Sequence, residues 1–140
     1  MIVLDTNVIS AAMCIDTEPE IVAWLDRQPP DELWITAVTV FEVRFGIAIL
    51  PAGRRRRALE AAFALALRDD LENRILPFDR RAADAAGDIA ARRRASGNPV
   101  DVRDTQIAGI VTVHSATLAT RNVSLFQDLS VPVVNPWDGD

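Results

Sequence analysis

The chain has 140 residues, is 49% hydrophobic and 25% charged, and carries a net charge of −5. That length suits one domain with its own core, and the acidic balance argues against a protein that coats nucleic acid through bulk positive charge. A single cysteine, Cys14, excludes an intrachain disulfide and a multi-cysteine zinc site, and a single histidine, His114, excludes any site needing two imidazoles from one chain.

In chain order, the first element is a short apolar strand, Ile2–Leu4, which runs straight into Asp5 in "VLDTNVIS". A helix follows Asp5. A helical period over residues 18–28 puts Ile21, Trp24 and Leu25 on one face and stops at Pro29 and Pro30. Leu33–Thr36 reads as a second strand. Residues 37–50 then form a helix that is apolar nearly all round, with Thr39, Glu42 and Arg44 as its polar side chains; such a helix is expected to be buried. Residues 54–73 carry Leu59, Phe63, Leu67 and Leu71 at four-residue steps, an amphipathic stripe. After a short strand at Ile75–Leu76, a helix opens at an Asp79 N-cap and closes near Gly97. Another starts at Asp101 and ends at His114, followed by strands over residues 117–120 and 131–134.

Strands alternating with helices predict an α/β domain over residues 1–140: a three-layer α/β/α fold around a mainly parallel sheet of four to five strands. In such sheets ligands bind beyond the carboxyl ends of the strands. Asp5 stands at one of those ends. No apolar stretch reaches the ~18 residues of a membrane span. The N-terminus lacks a basic region, so the expected location is the cytoplasm.

The acids draw attention because of where they sit. Glu42 lies in an apolar helix, and Arg44 two positions away faces elsewhere. Asp101 and Asp104, at i and i+3, share the first turn of a helix, where the dipole favours negative charge. Taken singly, Asp5 and Asp101 have the ordinary reading of helix caps, and Glu42 that of a buried ion pair. Taken together, acids converging on one pocket repel each other and call for a divalent cation; an all-oxygen set suits Mg²⁺ or Mn²⁺.

All fifteen basic residues are arginine. The run at residues 54–57 opens a helix, where positive charge is mildly unfavourable, so it is a solvated face or a contact to phosphate or to an acidic partner. The run at residues 92–94 suits a helix end in either role. Cys14 and the tryptophans 24, 34 and 137 read as packing residues. His114 reads as a bystander on a partly buried helix face.

"LDTNV", the glutamate of "VFEVRFG", "DTQIAGI" and "LATRN" follow one another in the order and spacing of PIN-domain ribonucleases. The whole chain resembles the VapC toxins of bacterial toxin–antitoxin pairs, in particular the FitB-like branch, which shares the "NPW" at residues 135–137. The resemblance implies a metal-dependent endoribonuclease that hydrolyses RNA with metal-activated water and leaves a 5′-phosphate and a 3′-hydroxyl. It implies Asp5, Glu42 and Asp104 as catalytic acids and ligands of Mg²⁺ or Mn²⁺. The fourth family position falls on Asn122, a departure that removes one formal charge; where relatives with this change carry an acid three residues on, this chain has Leu125. Asp101 or Asp128 would then supply charge. Thr6 and Thr120 are expected to orient carboxylates, and Arg121 to clamp phosphate. The implied partners are a VapB-like antitoxin whose inserted peptide reaches the acids, an RNA substrate, a second copy of the chain through residues 37–50, and operator DNA bound with the antitoxin. Rival readings are a metal-dependent phosphatase or DNA nuclease using the same acids, and a degenerate PIN domain that binds RNA or protein without turnover. A response-regulator-like domain would want a lysine, and this chain has none.

Overall fold

The computed structural model describes residues 1–13 and 18–138; Cys14 lies outside them. The sheet has five parallel strands in the order β3-β2-β1-β4-β5: β1 Ile2–Leu4, β2 Leu33–Thr36, β3 Ile75–Leu76, β4 Thr117–Ala119 and β5 Val133–Val134. Among the described residues, six α-helices connect them: α1 Thr6–Met13, α2 Pro19–Asp26, α3 Ala37–Ala48, α4 Arg54–Leu65, α5 Arg80–Ala95 and α6 Val102–Val113.

Alternation along the short strands builds two cores. Val3 and Leu118 join Ile89, Ile107 and Ile110 of α5 and α6 on one face of the sheet. Leu4, Ile35 and Ala119 join Val8, Ile21, Val43 and Phe63 of α1–α4 on the other. Neighbouring strand residues point to opposite faces, and both faces are covered, so the strands are apolar throughout. This is the expected three-layer arrangement.

The chain grows outward from β1 to β2 and β3, then returns to the other side of β1 with β4 and β5. The strand order therefore reverses between β1 and β4. A cleft opens at such a reversal, because the helices on its two sides leave in opposite directions. The register sets Val3 against Leu118 and Leu4 against Ala119, and Asp5 extends the ladder by donating its N–H to the Ala119 carbonyl at 2.9 Å. Asp5 and Thr120 consequently leave the sheet side by side at this switch point.

Some boundaries differ from the sequence reading, each for a local reason. The segment over residues 54–73 is not one α-helix. After α4 the chain makes an i→i+5 turn over Ala66–Asp70, closed by Leu71 N–H to the Ala66 carbonyl at 2.9 Å, and ends with left-handed Glu72 and Asn73. A strict four-residue stripe drifts around a helix of 3.6 residues per turn. The wider turn takes up the drift and returns Leu71 to the core beside Phe63. The last strand is Val133–Val134 rather than residues 131–134, because Pro132 has no N–H to give the ladder, although its carbonyl accepts from Leu118. The helix over 18–28 begins at Pro19, which holds Glu18 in an extended conformation.

Helix α3 is not buried all round. Phe41, Phe45 and Ile49 are 59%, 52% and 68% exposed, and the two phenyl rings stack with centroids 6.2 Å apart. His114 is likewise exposed rather than half-buried. Among the described residues no helix is long and apolar enough to cross a membrane.

Helices α5 and α6 pack in closest approach at Gly109. A β-carbon there would sit 2.5 Å from the Ala82 carbonyl oxygen and 2.8 Å from the Ala86 β-carbon. Backbone cannot yield as a side-chain tip can, so Gly109→Ala should lower unfolding stability by about 2 kcal/mol or more in urea titration. Gly87→Ala, in open space on α5, should raise it by up to about 1 kcal/mol.

Candidate functional site

Asp5 is 5% exposed. Its backbone carbonyl starts α1 by accepting from Val8 and Ile9, but its side chain does more than cap. Oδ1 accepts from Thr6 N–H at 2.8 Å and Oδ2 from Thr120 Oγ1 at 2.8 Å. Each carboxylate oxygen keeps a lone pair for another partner. Among the described residues, no arginine pairs with Asp5.

A hydroxyl has one proton, which gives these contacts a direction. Thr120 spends its proton on Asp5, so it accepts from Asn7 Nδ2 at 3.3 Å and from Asn122 N–H at 3.1 Å. Thr6 spends its proton on Glu42 Oε1 at 2.9 Å, so it accepts from Thr39 Oγ1 at 3.1 Å. Thr39 in turn receives the Thr36 hydroxyl at 3.4 Å, while Thr36 caps α3 by accepting Thr39 N–H at 3.0 Å. Threonines 36, 39 and 120 are buried. A line of three hydroxyls, Thr36–Thr39–Thr6, thus ends on Glu42, and one hydroxyl, Thr120, fed by two amides, ends on Asp5.

The acids feel one another. Burial pushes the Asp104 carboxyl up to about 6, helped by the negative charges of Asp101, Asp5 and Glu42, with Arg93 opposing. Burial also raises Asp5, against the hydrogen bonds from Thr120 and Thr6. Asp101 caps α6 through Oδ1 to Asp104 N–H at 3.0 Å and is exposed at the rim. Glu42 is half-buried and also faces Arg103, with Nη1 3.7 Å from Oε2. Among the described residues, no three acids close around a single point. The set is nonetheless all oxygen, hard and short of positive charge, which is the donor chemistry that Mg²⁺ or Mn²⁺ takes.

Other expected residues have different company. Asn122 is exposed at the start of a short 3-10 turn, Val123–Phe126, and its side chain makes no cap. Arg121 is not a free phosphate clamp: its guanidinium lies 4.4 Å over the Trp137 ring and 3.7 Å from Glu18, which accepts the indole N–H at 2.8 Å. Trp137 is therefore a clasp on Arg121 as well as a packing residue. Of the 92–94 run, Arg92 and Arg94 are exposed, but Arg93 is buried and bidentate to Asp128 at 2.7 and 3.0 Å. That pairing commits Asp128, so it is not a spare acid for the site.

Residues 2–130 match the PIN domain family. The chain belongs to the PIN-domain family. It is 37% identical over 138 residues to the VapC ribonuclease Y4jK of Sinorhizobium fredii, covering 99% of both chains. It is 35% identical over 137 residues to Toxin FitB of Neisseria gonorrhoeae, covering 98% of this chain and 99% of the toxin. Among solved structures, FitAB bound to a DNA fragment superposes with a TM-score of 0.89 at 35% identity, covering 98% of this chain and 96% of that one. VapBC from Salmonella typhimurium bound to DNA, at 21% identity and a TM-score of 0.77 over 96% of this chain and 97% of that one, shares the PIN fold.

Sequence reasoning missed Asn7, Thr36, Thr39, Arg93 and Arg103 as parts of this neighbourhood. A threonine closing β2 and another inside an apolar helix were the available signals. The arginines offered none beyond their runs.

The raised Asp104 carboxyl predicts a pH effect on the metal-free fold. The unfolded chain ionises near 3.8 and the folded one near 6, so the folded state carries a penalty above about pH 6 that fades as pH falls toward 4. In EDTA, Asp104→Asn should be more stable than wild type at pH 7.5, on the order of 1 kcal/mol after solvent screening of a half-exposed group. The advantage should vanish near pH 4 in urea titrations.

Proposed function

We propose that this protein is a divalent-metal-dependent endoribonuclease, the toxin of a VapBC-type toxin–antitoxin pair. The observation that carries the reading is Asp5: a buried carboxylate at the sheet's switch point, held by two donors, paired with no arginine among the described residues, and electrostatically coupled to Asp104. Its relatives' names, a VapC ribonuclease and a toxin, supply the reaction class.

Asp5, Asp104 and Glu42 would hold Mg²⁺ or Mn²⁺. Such a cation, when bound, supplies Lewis-acid polarisation of a phosphodiester and a more acidic water. The chain's own residues do the positioning. Thr120 and the Thr6 N–H fix the plane of the Asp5 carboxylate, and Thr6 ties Glu42 to the same strand end. Asp101 adds negative charge at the rim and sets the first turn of α6, which aims Asp104. Asn122, exposed beside Thr120, offers an amide oxygen at the position where the family resemblance implies an acid. Arg103, next to Glu42, is the arginine best placed to meet a phosphate, since Arg121 is held by Trp137 and Glu18. The expected products keep a 5′-phosphate and a 3′-hydroxyl.

The partner is proposed to be a VapB-like antitoxin, because the relatives solved at about 35% identity are FitA–FitB complexes, one of them on DNA. The exposed Phe41 and Phe45 on α3, with Ile49 just past its end, support a homodimer contact. A specific observation favours a second reading, a PIN domain that binds without cutting: the amide at Asn122 leaves the acid set one charge short.

Purified, antitoxin-free protein should cleave end-labelled transfer RNA or total RNA with Mg²⁺ or Mn²⁺, and not in EDTA. Asp5→Asn and Asp104→Asn should each lower the rate by about 100-fold or more, and Thr6→Val by about 10-fold. A folded protein that binds RNA but cuts nothing with either metal would establish the second reading.

A further inference from the structure

A second cleft, of about 520 Å³, opens beside Asp104, and Glu42 is not among its lining residues. That volume is in the range of small-ligand pockets. One wall is the turn after α5, with Asn98 and Pro99; the other is the turn after β4, with Ser124, Leu125 and Gln127; Asp101 and Asp104 stand at its edge.

Arg93 makes this cleft a built feature rather than a gap between loops. Its guanidinium gives Nε and Nη2 to Asp128, Nη2 also to the Leu125 carbonyl at 2.9 Å, and Nη1 to Thr105 at 3.4 Å. Its backbone carbonyl accepts from Asn98 N–H at 2.9 Å. One buried residue, through its side chain and its backbone carbonyl, thus ties together the two walls and the residue that follows Asp104. Both walls are preset, so a ligand entering there meets ordered groups.

The charge of the lining decides what would enter. Arg93 is the only cation among the lining residues, and Asp128 neutralises it. Asp101 and Asp104 make the mouth anionic, which repels phosphate. What remains available is neutral: the amides of Asn98 and Gln127 and the hydroxyl of Ser124, each able to donate and accept. Pro99 and Leu125, the latter 45% exposed, add apolar surface. Amides and hydroxyls beside apolar surface are the means by which proteins read an unpaired nucleobase, whose edge hydrogen-bonds and whose face packs.

We propose that this cleft receives the unpaired base of the nucleotide adjoining the scissile phosphate, with Asn98, Ser124 and Gln127 reading its edge. The assignment rests on the ribonuclease reading. The cleft adjoins Asp104, so a strand with its phosphate at the acids has its next base within reach.

The test uses full-length protein carrying Asp5→Asn, which blocks cutting, and dye-labelled single-stranded RNA pentamers that differ at one base. Binding is followed by fluorescence anisotropy with Mg²⁺. One base should bind about 5-fold or more tightly than the weakest, and Asn98→Ala with Gln127→Ala should flatten the four affinities to within about 2-fold. Equal affinities before these changes, or a preference that survives them, would overturn the assignment. Cleavage of the same pentamers by the protein with Asp5 intact runs in parallel. Cutting without base preference sinks the base pocket alone. Base preference without cutting sinks the nuclease reading alone and leaves the cleft as a base-binding site.

Discussion

The site depends on a carboxylate that the fold buries without neutralising. Removing an anion from water is costly unless charge or hydrogen bonds replace the lost solvent. At Asp5 the replacement is partial: Thr6 N–H and the Thr120 hydroxyl each bond one oxygen. Those two donors come from opposite sides of the switch point, one from α1 and one from the end of β4. Their convergence requires the β1–β4 register to be held to the residue. A slip by one position would send Leu4 to the opposite face of the sheet and carry Asp5 out of reach of Thr120.

The hydroxyl lines extend this constraint outward. Because each threonine has one proton to give, the direction of every bond follows from the acid at its end. Glu42 on α3 is joined to α1 through Thr6, and α3 is itself capped by Thr36 at the end of β2. Three neighbouring strands, β2, β1 and β4, therefore each contribute a residue at the same level. Burial first, and then the charges of Asp101, Asp5 and Glu42, raise the Asp104 carboxyl. On the proposed reading, a divalent cation would offset this concentration of negative charge.

The arginines divide by burial rather than by their runs in sequence. Arg93 is structural and ties α5 to α6 and to the turn after β4. Arg121 is clasped by Trp137 and Glu18, which draws the chain's last turn toward the mouth of the site. Arg103 stands by Glu42. The exposed members of the 54–57 run lie on α4, where Arg56 pairs with Glu60. An anionic protein can therefore present guanidinium groups at selected places while its overall field remains negative.

Much of this was legible in the amino-acid order. Short apolar runs, Asp and Thr caps, and prolines at helix ends marked the strands and most helices, because those signals act over three or four residues. The acids Asp5, Glu42 and Asp104 stood out because each occupied a place where hydrophobic pattern predicts an apolar or capping residue. What the order could not show was company. Arg93 and Arg92 are identical letters in one run, yet only packing buries the first against Asp128, 35 positions away. The apolar helix α3 read as wholly buried, but the fold covers only the face bearing Val43 and Ile47 and leaves Phe41 and Phe45 outside. The i→i+5 turn after α4 arises because the core, not local propensity, demands Leu71. Sequence alone determined the elements, the sheet's character and the acids, since local chemistry specifies those. Tertiary structure decided which donors reach which acids and which arginines remain free, since those depend on contacts between residues far apart in the chain.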